Sequence, residues 1–144
     1  MKIEECKNYN EIGSVMLEHL KQLRVKNPDK KIVQVCGAWT TGGRGSVEEN
    51  MKFLKQNILQ LEDEGYIVFD QSPFEETMFK IKAQRKEQNL FKHYDWDLLY
   101  GCYIPVFSSA IFNHLIFLPG YESSIGAQWE YDMALKYNID IICL

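Results

Sequence analysis

Residues 31–50 read KIVQVCGAWTTGGRGSVEEN, a short apolar run that gives way to glycines and then to a helix start. KIVQVC is brief, rich in β-branched residues and closed by Gly37, which predicts a buried strand over 31–36. Ser46 and Glu49 form a capping box, and Val47, Met51, Leu54, Ile58 and Leu61 recur on one helical face until Gly65 supplies the stop. YIVF at 66–69 then predicts a second strand. A strand, a helix and a strand in that order make a right-handed parallel crossover.

The same alternation continues on both sides. Upstream, Ile12, Val15, Met16, Leu20 and Leu23 fall at helical spacing and stop at Asn27-Pro28-Asp29, so residues 1–30 read as a helical extension. Downstream, a turn at Ser72-Pro73 leads into a charged helix. Its acidic start and basic end follow the macrodipole, and it reads as a solvated face. Residues 95–102 are expected to be helical, 103–113 an irregular apolar connection, 115–118 (LIFL) a strand, 125–137 a helix and 139–144 (IDIICL) a last strand. The expectation is one α/β domain over 1–144. Its parallel Rossmann-like sheet is flavodoxin-like in strand order and flanked by helices, with one extra helix at the N-terminus. Ligands of such sheets bind at the carboxyl ends of the strands, which gathers 37–45, 70–74 and 120–130 around one crevice.

Bulk properties narrow the ligand. A chain of 144 residues with 46% hydrophobic residues can bury a real core as one globular domain. A net charge of -4 with scattered Lys and Arg argues against a nucleic-acid polymer as partner, so any nucleotide is small and pocketed. Cys6, Cys36, Cys102 and Cys143 lie far apart with no C-x-x-C pair, which suggests neither zinc nor a disulfide framework. Cys36 and Cys143 read as small core residues. His19, His93 and His114 are isolated, and no metal site is expected. The opening MKIEECKNYN lacks the apolar core of a signal peptide, and the apolar region 103–118 is broken by Pro105, Ser108, Ser109, Asn113 and His114. The expectation is a reducing cytoplasm and no membrane.

Two segments carry chemistry. In the first, Gly37, Trp39, Thr40, Thr41, Gly42, Gly43 and Arg44 join a strand to a capped helix, where a glycine-rich loop can approach phosphate and where an aromatic face, hydroxyls and a guanidinium suit a nucleotide. The loop is neither G-x-x-x-x-G-K-[ST] nor a clean G-x-G-x-x-G, which disfavours an ATPase or a dinucleotide enzyme. In the second, LPGYESSIGAQWEYDMAL at 118–135, Ser123, Ser124 and Gly126 start a helix with accessible N–H groups, and Gly126 shares a helical face with Glu130 four residues on. Asp70, with Gln71 and Phe74, follows the second strand and is placed to touch base or ribose, or to form a turn.

The pairing of VCGAWTTGG with LPGYESSIGAQWEYDMA resembles the nucleoside 2-deoxyribosyltransferase superfamily, most closely in motif the 2′-deoxynucleoside 5′-monophosphate N-glycosidases and related uncharacterised bacterial and phage proteins. The resemblance implies that Glu130 is the nucleophile at the anomeric carbon. It also implies that Ser124, where transferases of the group have Asp, contacts a 5′-phosphate. An Asp on the helix before the third strand serves near the sugar, and Asp95 and Asp97 in HYDWDLL are the two choices. The segment CYIPVFSSAIFNH departs from the family pattern at that point, and Ala38, Trp39 and Thr40 depart from its Ser, apolar, Arg sequence after the first glycine. The resemblance further implies no metal or organic cofactor and a homodimer or higher homo-oligomer. The expected activity is hydrolysis of the base–sugar bond of a (deoxy)nucleoside monophosphate. Deoxyribosyl transfer between bases and a non-catalytic nucleotide-binding or sensing module stand as alternatives.

Overall fold

The computed structural model describes residues 1–39 and 42–144. Its described residues form five α-helices and four strands: α1 (Tyr9–Lys26), β1 (Ile32–Cys36), α2 (Val47–Asp63), β2 (Ile67–Val68), α3 (Ser72–Glu87), α4 (Trp96–Phe107), β3 (His114–Phe117), α5 (Ile125–Lys136) and β4 (Asp140–Cys143). All strand pairs are parallel and the order is β2-β1-β3-β4, the doubly wound arrangement expected from the alternation. The chain steps from β1 outward to β2, returns past β1 to β3 and continues to β4. The switch point therefore lies between the carboxyl ends of β1 and β3.

β1 is buried at every position, as a central strand covered on both faces must be. Alternate side chains separate two apolar layers. Val33 and Val35 join Val68, Ile116 and Leu118 under α2, the only helix on that face among the described residues, which packs Phe53, Leu54, Ile58 and Leu61 there. Ile32 and Cys36 point the other way, into a larger core shared with α1, α3, α4 and α5. None of the described helices is long and apolar enough to cross a membrane.

The structure corrects four expectations. The segment after Cys102 is not irregular: α4 continues through Pro105 to Phe107, and Leu98, Leu99, Cys102, Tyr103, Val106 and Phe107 form one buried stripe. Proline inside a helix leaves the carbonyl four residues earlier without its donor. Here that carbonyl belongs to Gly101 and lies where α1 crosses, so close to Gly13 that a Cβ on Gly13 would sit 2.2 Å from its oxygen. The proline ring faces the same crossing, with its Cγ 3.0 Å from where a Gly13 Cβ would stand. The strand expected over 66–69, second, is only Ile67–Val68, while the expected N-terminal helix packs on the domain with Ile12, Met16 and Leu20 of α1 fully buried in the main core. Third, α3 has an apolar side as well as a charged one and buries Phe74, Met78 and Ile81 at helical spacing. Phe74, expected near a ligand, is thus core, stacked on Phe69 and edge-on to His19. Fourth, Cys143 is exposed at the end of the edge strand β4, whereas Cys36 is buried as expected.

The Gly13–Gly101 crossing predicts an unusual sign for a helical Gly→Ala change. In an open helix the substitution gains about 1 kcal/mol of propensity. At Gly13 the added methyl must displace a backbone oxygen, and overpacking of that kind costs about 1–3 kcal/mol. We expect Gly13→Ala to lower the urea midpoint without changing its m-value; an unchanged or raised midpoint would show that the helices part freely.

Candidate active site

The switch point is built from the first turn of α5. Ser124 is its N-cap, buried at 3% exposure, and its hydroxyl accepts from the Ala127 N–H at 3.3 Å. Trp129, Ala127 and Ala134 turn the apolar side of the helix into the core. That rotation brings Glu130 over β1. Its Oε2 accepts from Gln34 Nε2 at 2.6 Å and from the Cys36 thiol at 3.4 Å. Gln34 and Cys36 are two apart on the strand and so face the same side, which is why both reach one oxygen.

Burial pushes the Glu130 carboxyl up to about 7, against the pull of the hydrogen bonds from Cys36 and Gln34, which favour the charged form. Cys36 is driven the opposite way from reactivity. Burial first, then the nearby Glu130 charge, hold its thiol well above the ordinary range, so it remains an S–H donor.

Glu130 lines a cavity together with Gly37, Trp39, Tyr94, Ser124 and Gly126. The enclosed space is about 70 Å³, within a cleft of about 800 Å³ once its open mouth is included. Leu54, Leu98 and Leu99 supply apolar wall, and Trp39 meets Phe79 with ring centres 5.1 Å apart. The vacancy made by Gly126 is where the Tyr94 hydroxyl sits; a Cβ there would come within 3.1 Å of it. Burial, then the charges of Glu130 and Asp95, push that phenol up to about 12, so it is a neutral donor with no hydrogen-bond partner among the described residues. At the floor the Tyr103 hydroxyl donates to Gln71 Oε1 at 2.6 Å, and Gln71 reaches the Val35 carbonyl at 3.5 Å.

The structure sorts the remaining expected residues. Thr40 and Thr41 lie outside the described residues. Gly42 and Gly43 take positive φ of 65° and 75° and are tied back: Gly43 N–H donates to Ser123 Oγ at 2.7 Å, and Ser123 donates in turn to the Gly120 carbonyl at 2.8 Å. Asn50, buried on α2, binds the carbonyls of Trp39 and Gly42 and accepts the Arg44 N–H at 2.7 Å. The Arg44 guanidinium lies 4.0 Å over the Phe53 ring, away from the cavity lining. Asp70 accepts from the Ser72 N–H and hydroxyl at 2.9 and 2.7 Å, the turn-forming alternative, and borders a second groove instead of the cavity.

Asp95 and Asp97 separate. Asp95 is buried in the cavity wall, but both its oxygens are occupied, by the Tyr9 hydroxyl at 2.7 Å and by Arg85 Nε and Nη2 at 2.9 and 3.2 Å. Asp97 is exposed and binds the same guanidinium at 2.7 Å. The two acids therefore hold α1, α3 and α4 together.

Several site residues escape a sequence reading: Tyr94, Tyr103, Glu75, Phe79 and Lys82 in the cavity wall, and Gln34, which holds Glu130 from the strand. Gln34 left a signal in KIVQVC, because a polar side chain in a strand buried on both faces demands a polar partner. Compared with known proteins, the chain matches no family model, no curated protein and no solved structure. The resemblance noted from the sequence thus stands on its two motifs.

The Glu130 environment has a measurable consequence for stability. The unfolded chain releases this proton near the ordinary 4.5 and the folded chain near 7. Between those values the unfolded state binds fewer protons, so raising the pH destabilises the fold; below and above the window the group contributes no slope. Glu130→Gln removes the effect. We expect the variant to gain on the order of 2–3 kcal/mol over the wild type between pH 4.5 and 8, read from denaturant unfolding at each pH. Parallel pH curves for the two proteins would mean that the carboxyl titrates normally.

Proposed function

We propose that this protein hydrolyses the N-glycosidic bond of a (deoxy)nucleoside 5′-monophosphate, with Glu130 as nucleophile, releasing free base and sugar phosphate. The observation that carries the reading is the asymmetric hold on Glu130. Oε2 is held from below by Gln34 and Cys36, while the residue lines the cavity at the start of α5. One oxygen anchored and the other left for the ligand is how a nucleophilic carboxylate is presented.

Breaking the bond between C1′ and the base nitrogen builds positive charge on the sugar. The carboxylate stabilises it and captures C1′ as a covalent ester, which water then hydrolyses. The hydrogen bonds from Cys36 and Gln34 stabilise the charged form and so keep burial from neutralising Glu130 altogether. Support for a phosphate comes from the helix start. The Ser124 side chain and Gly126 border the cavity where N–H groups and the helix dipole favour an anion. A neutral serine there does not repel a dianion, as an aspartate would. Trp39 and Phe79 provide an aromatic wall against which a base can pack.

The test follows free base by chromatography from a panel of nucleoside monophosphates, with and without a second free base as acceptor. We expect release by the wild type, a loss of at least about a thousandfold in Glu130→Gln, and a kcat/KM whose rising limb reflects ionisation of Glu130, raised to about 7. Equal release by both proteins removes Glu130 from the chemistry, and the absence of any rising limb would mean that its ionised form is not the one that reacts. Faster transfer to the added base than to water would assign deoxyribosyl transfer.

A further inference from the structure

Departure of a base as an anion is slow, and a carboxylic acid within reach of its nitrogen removes that barrier. Asp95 is poorly suited to supply the proton, because Tyr9 and Arg85 already engage both oxygens, and Asp97 is on the surface. The cavity contains one further carboxyl. Glu75, in the first turns of α3, lines it with Glu130 and, among the described residues, makes no hydrogen bond or ion pair.

Resting on the glycosidase reading above, we propose that Glu75 is the general acid that protonates the departing base and then the general base that activates water. Three features support this. Glu75 and Phe79 are four apart on α3, so the carboxyl lies along the same helical face as the aromatic wall offered to the base. Tyr103 lines the cavity with both carboxyls, and its phenol, pushed well up by burial and next by the charge of Glu130, stays a neutral donor. Finally, Glu75 also borders the groove between α2 and α3, which it shares with Gln71, Leu54 and Val35. It therefore borders a second opening through which solvent protons can reach it.

In the first step Glu130 bonds to C1′, the C1′–N bond breaks with its electron pair going to the base, and the base nitrogen takes the proton of Glu75. In the second step water attacks C1′, Glu130 leaves as a carboxylate, and the proton of the water returns to Glu75. Charges around Glu75 favour an acid form. Its carboxyl is raised by burial and by Asp70, against the opposing pull of Lys55 on α2. Glu62 of α2 lies along the same groove, and Lys82 of α3, Asp95 beside α4 and Glu130 of α5 are the other charged residues of the cavity. With two carboxyls in one site the pH limbs belong to the pair.

The test compares a nucleoside monophosphate with 4-nitrophenyl deoxyriboside 5-phosphate, whose nitrophenolate leaves without a proton. In kcat/KM, which reports the bond-breaking first step, Glu75→Gln is expected to slow base release by about a hundredfold or more while leaving nitrophenolate release within about threefold, to abolish the falling high-pH limb, and to lower kcat for both substrates because water is no longer activated. Its unfolding midpoint confirms that it folds. The wild type provides a check independent of the variant, a falling limb with the nucleotide and none with the nitrophenyl compound. In kcat/KM, both substrates slowed alike, neither slowed, or the same falling limb for both overturns the role of Glu75 and leaves the glycosidase reading in place. If the wild type cleaves neither substrate, the two proposals fall together.

Discussion

β1 is buried from end to end, yet its central residue is a glutamine. The amide of Gln34 cannot reach water, so the core has to supply a partner, and that partner is the Glu130 carboxylate at 2.6 Å. The two costly groups offset one another only in part. Glu130 still titrates near 7, and Gln34 Oε1 is left buried without a donor. An unsatisfied buried acceptor costs about 1–3 kcal/mol. A leucine at position 34 would remove that deficit but strip the Glu130 carboxyl of its 2.6 Å donor, so the two polar residues are retained or lost as a pair, at a cost in stability.

Around that pair the framework is rigid. Tyr9, Arg85 and Asp95 join three helices through one buried carboxylate, and the same carboxylate forms cavity wall. Burial, then the hydrogen bond to Asp95, hold the Tyr9 phenol far above its ordinary range, so it stays a donor at any physiological pH. The N-terminal helix, through Tyr9 and through the contact of Gly13 with Gly101, is thus part of the wall that shapes the cleft.

What could be read from sequence follows from which signals are local. Alternating strands and helices, the capping box at Ser46 and Glu49 and the spacing of Gly126 and Glu130 are all properties of short windows, and they led to the sheet order and to the central carboxyl. Pro105 misled because a proline within an apolar run reads as a break; the α1 helix that packs against it lies about ninety residues away in sequence. Glu75 was hidden in a helix whose charge pattern resembles an ordinary wet surface, and only the fold shows that one side of that helix faces a cavity. Arg44 erred in the other direction, since a guanidinium beside glycines suggests phosphate, whereas Phe53, three residues beyond Asn50 on α2, offers it a ring to lie on.

The link from Ser123 to Gly43 reaches beyond loop geometry. Glycines at 42 and 43 would ordinarily mark a pliable segment, but here one hydroxyl clasps this loop to the turn before α5, and Asn50 clasps it again from α2. The described parts of the two banks at the switch point are thereby tied to each other by side-chain hydrogen bonds. The opposite wall, where Phe79 and Lys82 of α3 stand, has no such clasp to the loop among the described residues. For the nucleotide proposed above, larger than the enclosed space, widening of the cavity would therefore fall to side chains of α3 and not to the clasped loop.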